Sequence, residues 1–271
     1  MAQRPAIADS KVYNDPSKGS KEYTMTRSRH RAVLTGDIIG SSRLEPRQLQ
    51  SVRASLARAV EAVKGWKRGL VHYRLEFFRG DGWQFLLTDP AAALRTAVYL
   101  RASLRATGLA DSRIAIGLGE VDRTSPGRVS LSTGQAFVLS GRALDRMDLY
   151  SRMTIAAPDS AGDLADWLPV IGHLCDSLIG QWTRRQAEVV RRAIVPGEPD
   201  YEAIARSLKP PVSKQAVAKG LRGANWHVLR EAIHRFEDTS WHQLLPAAPP
   251  DNQKRLSQFR QPKMVVQAGL G

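Results

Sequence analysis

Two aspartates sit where short apolar runs give way to small residues. Asp37 closes the run Arg31-Ala-Val-Leu-Thr-Gly and is followed by Ile38-Ile-Gly-Ser-Ser42. Asp81 lies between Gly80 and Gly82 in Phe77-Phe-Arg-Gly-Asp-Gly-Trp-Gln-Phe-Leu-Leu87. Two carboxylates on neighbouring strand ends suit Mg2+ or Mn2+, hard cations that take oxygen ligands and share substrate phosphates. The small residues Gly40, Ser41 and Ser42 would turn backbone N–H groups toward phosphate oxygens. The expected chemistry is that of a metal-held nucleoside triphosphate. Taken singly, Asp37 also reads as a strand-end cap and Asp81 as a turn residue.

For the pair to meet, the flanking elements must form one sheet. His30–Ile39 reads as a strand buried on both faces. Pro46 opens a helix to about Trp66, with Leu49, Val52, Leu56, Val60 and Val63 at helical spacing. His72–Phe78 and Trp83–Thr88 read as a hairpin around Gly80-Asp81-Gly82, with Phe77 and Trp83 as sheet core. Asp89-Pro90 starts a second helix that stops at Gly108. Ser112–Val121 is a strand whose Gly117 and Gly119 admit a close neighbour. A turn-rich stretch, Asp122–Arg128, leads to Val129-Ser-Leu, a helix over Thr133–Met147 and a strand around Met153–Ala157. The order β-α-β-β-α-β predicts a ferredoxin-like, split-βαβ sheet backed by helices.

From Asp163 the pattern is helical. Asp163–Ile179 is apolar enough to pack on the sheet domain, Trp182–Ile194 is cationic, and Pro196-Gly-Glu-Pro199 is a break. Asp200–Leu208, a Lys209-Pro-Pro-Val212 turn and a helix over Ser213–Arg230, capped by Ser213, fit a helix-turn-helix. Such a motif offers the start of its second helix to the major groove. That nominates Ser213, Lys214 and Gln215 for bases and Lys219 and Arg222 for phosphates. Arg184, Arg185, Arg191 and Arg192 would add backbone contacts. The same helices would equally build a three-helix dimerisation bundle. The chain is therefore α+β followed by all-α: a tail at 1–28, a sheet domain at 29–160, a helical domain at 161–245 and a tail at 246–271.

Composition narrows the partners. Forty Lys and Arg against 26 Asp and Glu give a net charge of +14, a field that favours polyanions such as nucleotides and double-stranded DNA. The single cysteine, Cys175, excludes an internal disulfide and reads as a buried structural thiol. No apolar run has the length of a membrane span and no signal-peptide core is present, so the expectation is a cytoplasmic protein that does not enter membranes. Met25 is a conceivable alternative start. The six histidines lack metal-ligand spacing.

Asp37-Ile-Ile-Gly-Ser, the Gly80-Asp81 hairpin, Arg113-Ile-Ala-Ile-Gly-Leu-Gly-Glu-Val121 and Gly134–Leu144 resemble class III nucleotidyl cyclase domains in order and spacing. More narrowly, Gly36-Asp37-Ile-Ile-Gly-Ser and Gly80-Asp81-Gly-Trp-Gln84 resemble the SatD family, which joins such a domain to a helix-turn-helix. The resemblance implies two divalent ions on Asp37 and Asp81, assisted by the Ile38 carbonyl. It also implies that Arg142 stabilises triphosphate charge, acting across a homodimer interface. Two positions depart from the cyclase pattern. Val138 stands where a ribose-orienting Asn is expected, and Phe77 stands in place of the base-selecting Lys. The resemblance thus implies a nucleotide-binding, DNA-binding regulator, or alternatively an active cyclase or nucleotidyltransferase with regulatory C-terminal helices.

Overall fold

The computed structural model describes residues 30–122 and 132–246. The expected tails, Pro246 apart, and the Val129-Ser-Leu stretch lie outside the described residues. The elements run β1 (His30–Ile38), α1 (Pro46–Lys64), β2 (Glu76–Phe78), β3 (Gly82–Leu87), α2 (Ala93–Arg105), β4 (Ser112–Glu120), α3 (Gln135–Arg146) and β5 (Met153–Ala156). Helices follow: α4 (Asp163–Gly180), α5 (Arg184–Ala193), α6 (Tyr201–Ser207), α7 (Lys214–Gly223), α8 (Trp226–Glu237) and α9 (Trp241–Leu244).

The strand order β2-β3-β1-β4-β5 contains the split-βαβ arrangement, with β1 antiparallel to both β3 and β4. β5 extends the sheet by pairing parallel to β4. The alternation of side chains assigns the two faces. Ala32, Leu34, Phe85, Ile114 and Ile116 face the layer built by α1 and α2. Val33 and Leu86 share a smaller cluster with Ala136 of α3 on the other face. α3 can lie this close because Gly117 has no side chain. A Cβ there would overlap the Ala136 carbonyl and the Ser140 nitrogen. Beside it, the hydroxyls of Thr35 and Ser140 bond at 2.8 Å.

Two expected elements come out differently. The strand predicted over His72–Phe78 is shorter. Val71 pairs with Leu87 and Glu76–Phe78 pairs with β3, while the exposed His72 and Arg74 mark a detour between them. The helix predicted over Ser213–Arg230 is two helices. It breaks at Asn225, whose φ of 52° is the left-handed region that Asn tolerates. The predicted caps hold, Asp89 accepting from Ala91 N–H and Ser213 from Ala216 N–H, and Asp200, expected inside a helix, caps α6 by accepting from Ala203 N–H.

The helices after β5 share one core with the sheet. α4 lies on β5, with Gly172 against the backbone of Thr154 and Ile155. A charge cluster ties it to α2. The Arg101 guanidinium, with no exposed surface, donates to Asp111 at 3.0 and 2.7 Å and to Asp176 of α4 at 2.6 Å. A second tie runs from Arg95 to Glu237 at 2.6 and 2.7 Å and to the Ile194 carbonyl at 2.7 Å.

Burial by itself would raise the pKa of Asp111. Arg101, the Ser112 N–H and Arg105 outweigh it and hold the carboxyl below its ordinary value. A depressed folded-state pKa stabilises above the unfolded value, and that contribution is lost as pH falls through the folded one. The urea midpoint is therefore expected to decline below about pH 4, and Asp111→Asn should flatten this acid limb. An identical limb in the variant would contradict the assignment.

Candidate functional site

The ladder brings Asp37 and Asp81 together as expected. Asp37 pairs with Gly82 across β1 and β3, and the Ile38 N–H donates to the Asp81 carbonyl at 3.2 Å. The loop that aims Asp81 is tight: Arg79 and Gly80 both have positive φ, 50° and 88°. Gly40, at φ 68°, turns the chain into a 3-10 turn at Ser41–Arg43, so Gly40, Ser41 and Ser42 stand beside the pair. The Ser41 hydroxyl donates to the Asp81 carboxylate at 2.7 Å.

Sequence reasoning missed the third member. Arg113 of β4 lies directly across from Asp37 in the ladder and grips its carboxylate through Nε, at 3.0 and 3.1 Å, and through a terminal nitrogen. That bond to Asp37 is the largest contribution raising the Arg113 pKa, with Asp81 and Asp145 adding to it. The signal available was an arginine opening an otherwise apolar, glycine-bearing strand. Ser112 is the other unforeseen residue. Its hydroxyl donates to the Asp37 carbonyl and accepts from the Trp83 indole at 3.0 Å.

Asp37, Asp81 and the Ile38 carbonyl would be the oxygen donors for a hard divalent ion, which would take its remaining ligands from water and phosphate. Among the described residues, no group of three or more Asp, Glu, His or Cys could hold a metal. A cation would also compete with Arg113 for Asp37. Phe77 is not an exposed platform for a base: it packs against the main core, with the Arg53 guanidinium 4.4 Å from its ring centroid.

Arg142 does not join the aspartates within one chain. It is exposed on α3 and lines a cleft of about 740 Å³ between α3, β5 and α4, together with Val138, Arg146, Asp166 and His173. Cys175 is buried, and burial with Asp176 alongside pushes its thiol up to about 11, which makes it a structural group.

On the helical side, Ser213, Lys214, Gln215, Lys219 and Arg222 are all exposed on one helix or its cap. The Ser213 hydroxyl is engaged in capping. The α5 arginines are less available than expected. Arg184 donates to the Ala106 carbonyl at 3.1 Å and Arg185 to Glu188 at 2.6 Å, while Arg191 and Arg192 are half-buried. Among the described residues, no helix is long and apolar enough to cross a membrane.

The chain matches no protein-family model and no curated protein. Among solved structures it is similar to the guanylyl cyclase Cya2, with 21% identity and a TM-score of 0.36 over 47% of this chain and 75% of that one. A likeness of that size carries no conclusion about activity.

The competition for Asp37 is measurable. A half-exposed ion pair contributes at most about 1 kcal/mol, so Arg113→Ala is expected to bind Mn2+ about fivefold more tightly than the unaltered protein. Titration followed by electron paramagnetic resonance reads the difference. Weaker binding in the variant would mean that Arg113 supports the cation rather than competing with it.

Proposed function

We propose that the chain is a SatD-like regulatory protein that binds a metal–nucleoside triphosphate complex on its sheet domain and double-stranded DNA on its helical domain. The observation that carries the first half is the convergence of Asp37, Asp81 and Arg113 at the ends of β1, β3 and β4. Opposite charges side by side at a strand-end surface match a ligand that is itself a cation–phosphate pair. Mg2+ or Mn2+, when bound, supplies the positive charge that a triphosphate needs to approach two carboxylates. Asp37 and Asp81 would hold the ion with the Ile38 carbonyl, and Arg113, released from Asp37, would turn to phosphate oxygen. Gly40, Ser41 and Ser42 offer backbone N–H groups from the adjoining turn.

The second half rests on how charge is distributed. The helical domain has nearly as many acidic as basic side chains, with acids on α4 and α8. Over residues 200–223, however, Arg206, Lys209, Lys214, Lys219 and Arg222 outnumber Asp200 and Glu202, and all five cations are exposed. Lys214 and Gln215 at the start of α7 would meet base edges, and Lys219 and Arg222 would meet phosphates.

A second reading is favoured by the exposure of Arg142 in its own cleft. In a homodimer, the Arg142 of one protomer would reach the aspartates of its partner and stabilise phosphoryl charge, making the protein an active nucleotidyl cyclase or nucleotidyltransferase.

Incubating the protein with each of the four nucleoside triphosphates and Mg2+ or Mn2+ decides between these readings. The first predicts saturable binding of at least one triphosphate, lost in Asp37→Ala, with the nucleotide recovered intact by mass spectrometry. Pyrophosphate and a new nucleotide product, abolished by Arg142→Ala, would establish the second. No binding of any triphosphate would remove both. For DNA, Lys219→Ala should weaken binding uniformly across sequences and reduce the salt slope by about 0.9. An unchanged slope would take Lys219 off the interface.

A further inference from the structure

The proposed nucleotide site and the proposed DNA-reading helix are joined by a continuous line of polar contacts, most of them partly or fully buried. At the site end, residues 111–113 each hold one part of the β1 terminus. The Asp111 carbonyl accepts from Ile39 N–H at 2.9 Å, the Ser112 hydroxyl donates to the Asp37 carbonyl, and Arg113 holds the Asp37 carboxylate. The Asp111 carboxylate then receives Arg105 at 2.9 Å, in addition to Arg101. A terminal nitrogen of Arg105 reaches the other way, donating to the carbonyls of Trp182 at 2.6 Å and Gly180 at 3.1 Å. Trp182, in the link between α4 and α5, donates its indole N–H to the Ala224 carbonyl at 2.9 Å. Ala224 is the residue at which α7 ends.

The interior links are enclosed. Asp111 is 7% exposed, Trp182 3% and Ala224 not at all, and the Arg105 side chain between them is 16% exposed. A buried polar group that loses its partner has no water to replace it, so a shift at one link must be answered at the next. Under the nucleotide-binding reading, the site end has a competitor. An incoming cation would contest the Asp37 carboxylate with Arg113, and the β4 terminus would then have two arrangements: the one seen, with Arg113 on Asp37, and one with Arg113 released. A coupling between distant sites requires such an element, one that a ligand biases.

We infer that ligand occupancy at Asp37 and Asp81 alters the seating of α7, through Ser112 and Asp111, then Arg105, then Trp182 and the Ala224 carbonyl. The inference rests on the nucleotide-binding reading above and adds its regulation: the sheet domain sets how the helical domain presents Lys214, Gln215, Lys219 and Arg222. By linkage, a polyanion bound on α7 changes affinity at the aspartates by the same factor.

Hydrogen–deuterium exchange on the full chain tests this without a known DNA target. The probes are ATP, GTP, CTP and UTP, each with Mn2+. In the unaltered protein, at least one is expected to slow exchange in peptides covering 37–42 and 111–113. It should also shift exchange within 213–225 by about fivefold or more. Trp182→Phe keeps most of the ring but removes the N–H. Arg105→Lys keeps the charge but cannot span both partners. In either variant that folds, as judged by its urea transition, protection at 37–42 should persist while the shift within 213–225 falls below about twofold. Protection at the site without any shift in α7 of the unaltered protein would overturn the coupling and leave nucleotide binding intact. An α7 shift that survives both variants would overturn this route. Absence of protection at 37–42 with every probe would overturn the nucleotide reading and the coupling with it.

Discussion

A guanidinium with no exposed surface is costly to bury, and Arg101 is such a group. Its charge is tolerable only because two carboxylates close on it, Asp111 from the loop before β4 and Asp176 from the middle of α4. The requirement acts in both directions. It draws α4 onto the edge of the sheet, where the second oxygen of Asp176 accepts the Arg152 N–H at 2.6 Å and so steadies the entry to β5. It also fixes Asp111, and through Asp111 the first residues of β4. Breaking a buried pair of this kind leaves an uncompensated charge, whereas a surface pair can be lost almost without effect. The position of the site thus depends on a cluster that is not part of it.

Against that anchor, Arg113 is the internal cation of the candidate site, and under the proposed function an external one would contest its place. Arg113 satisfies Asp37 when nothing else does, so the carboxylates are not left facing one another uncompensated. Under the proposed function the same arrangement would make the site responsive, because a ligand that brings its own positive charge would have to displace or redirect Arg113. The surroundings are made of small residues for reasons of approach. A Cβ at Gly36 would overlap the Arg113 carbonyl and the Trp83 ring, and one at Gly82 would overlap the Phe78 ring. The strand ends at the aspartates can therefore pack tightly enough to keep both carboxylates in register.

The helical part is held to the sheet at separate places, by Arg101 through Asp176, by Arg95 through Glu237 and Ile194, and by Arg105 through the Trp182 carbonyl. Around Arg95 the contacts extend further. Glu198 accepts from Arg230 at 2.6 Å and lies 2.6 Å from His234. Burial alone would raise its pKa, but these two partners outweigh that and hold it below the ordinary value. Such ties restrict how the helices sit on the sheet. They also consume arginines that, on a sequence, look available for a polyanion: Arg184 serves the Ala106 carbonyl. Within the helical part, Arg206, Lys209, Lys214, Lys219 and Arg222 on α6, α7 and the turn between them stay exposed.

Much of this was legible before the fold. Periodic apolar residues, Gly and Pro breaks and capping side chains located the strands and helices, because those signals act over a few neighbouring residues. The spacing of Asp37 and Asp81 on adjacent strand ends was legible for the same reason, since a hairpin next to a strand leaves few registers. What the sequence could not determine is who partners whom across long separations. That Arg113 takes Asp37, that Arg142 turns into a different cleft, and that Arg101 and Arg105 join the sheet to the helices depend on register and helix rotation. So does the break at Asn225, where the apolar pattern runs on but the packing of α8 demands a new direction. Periodicity encodes which side of an element is buried. Only the tertiary structure decides which charge meets which, because each pairing is settled by desolvation and distance rather than by position in the chain.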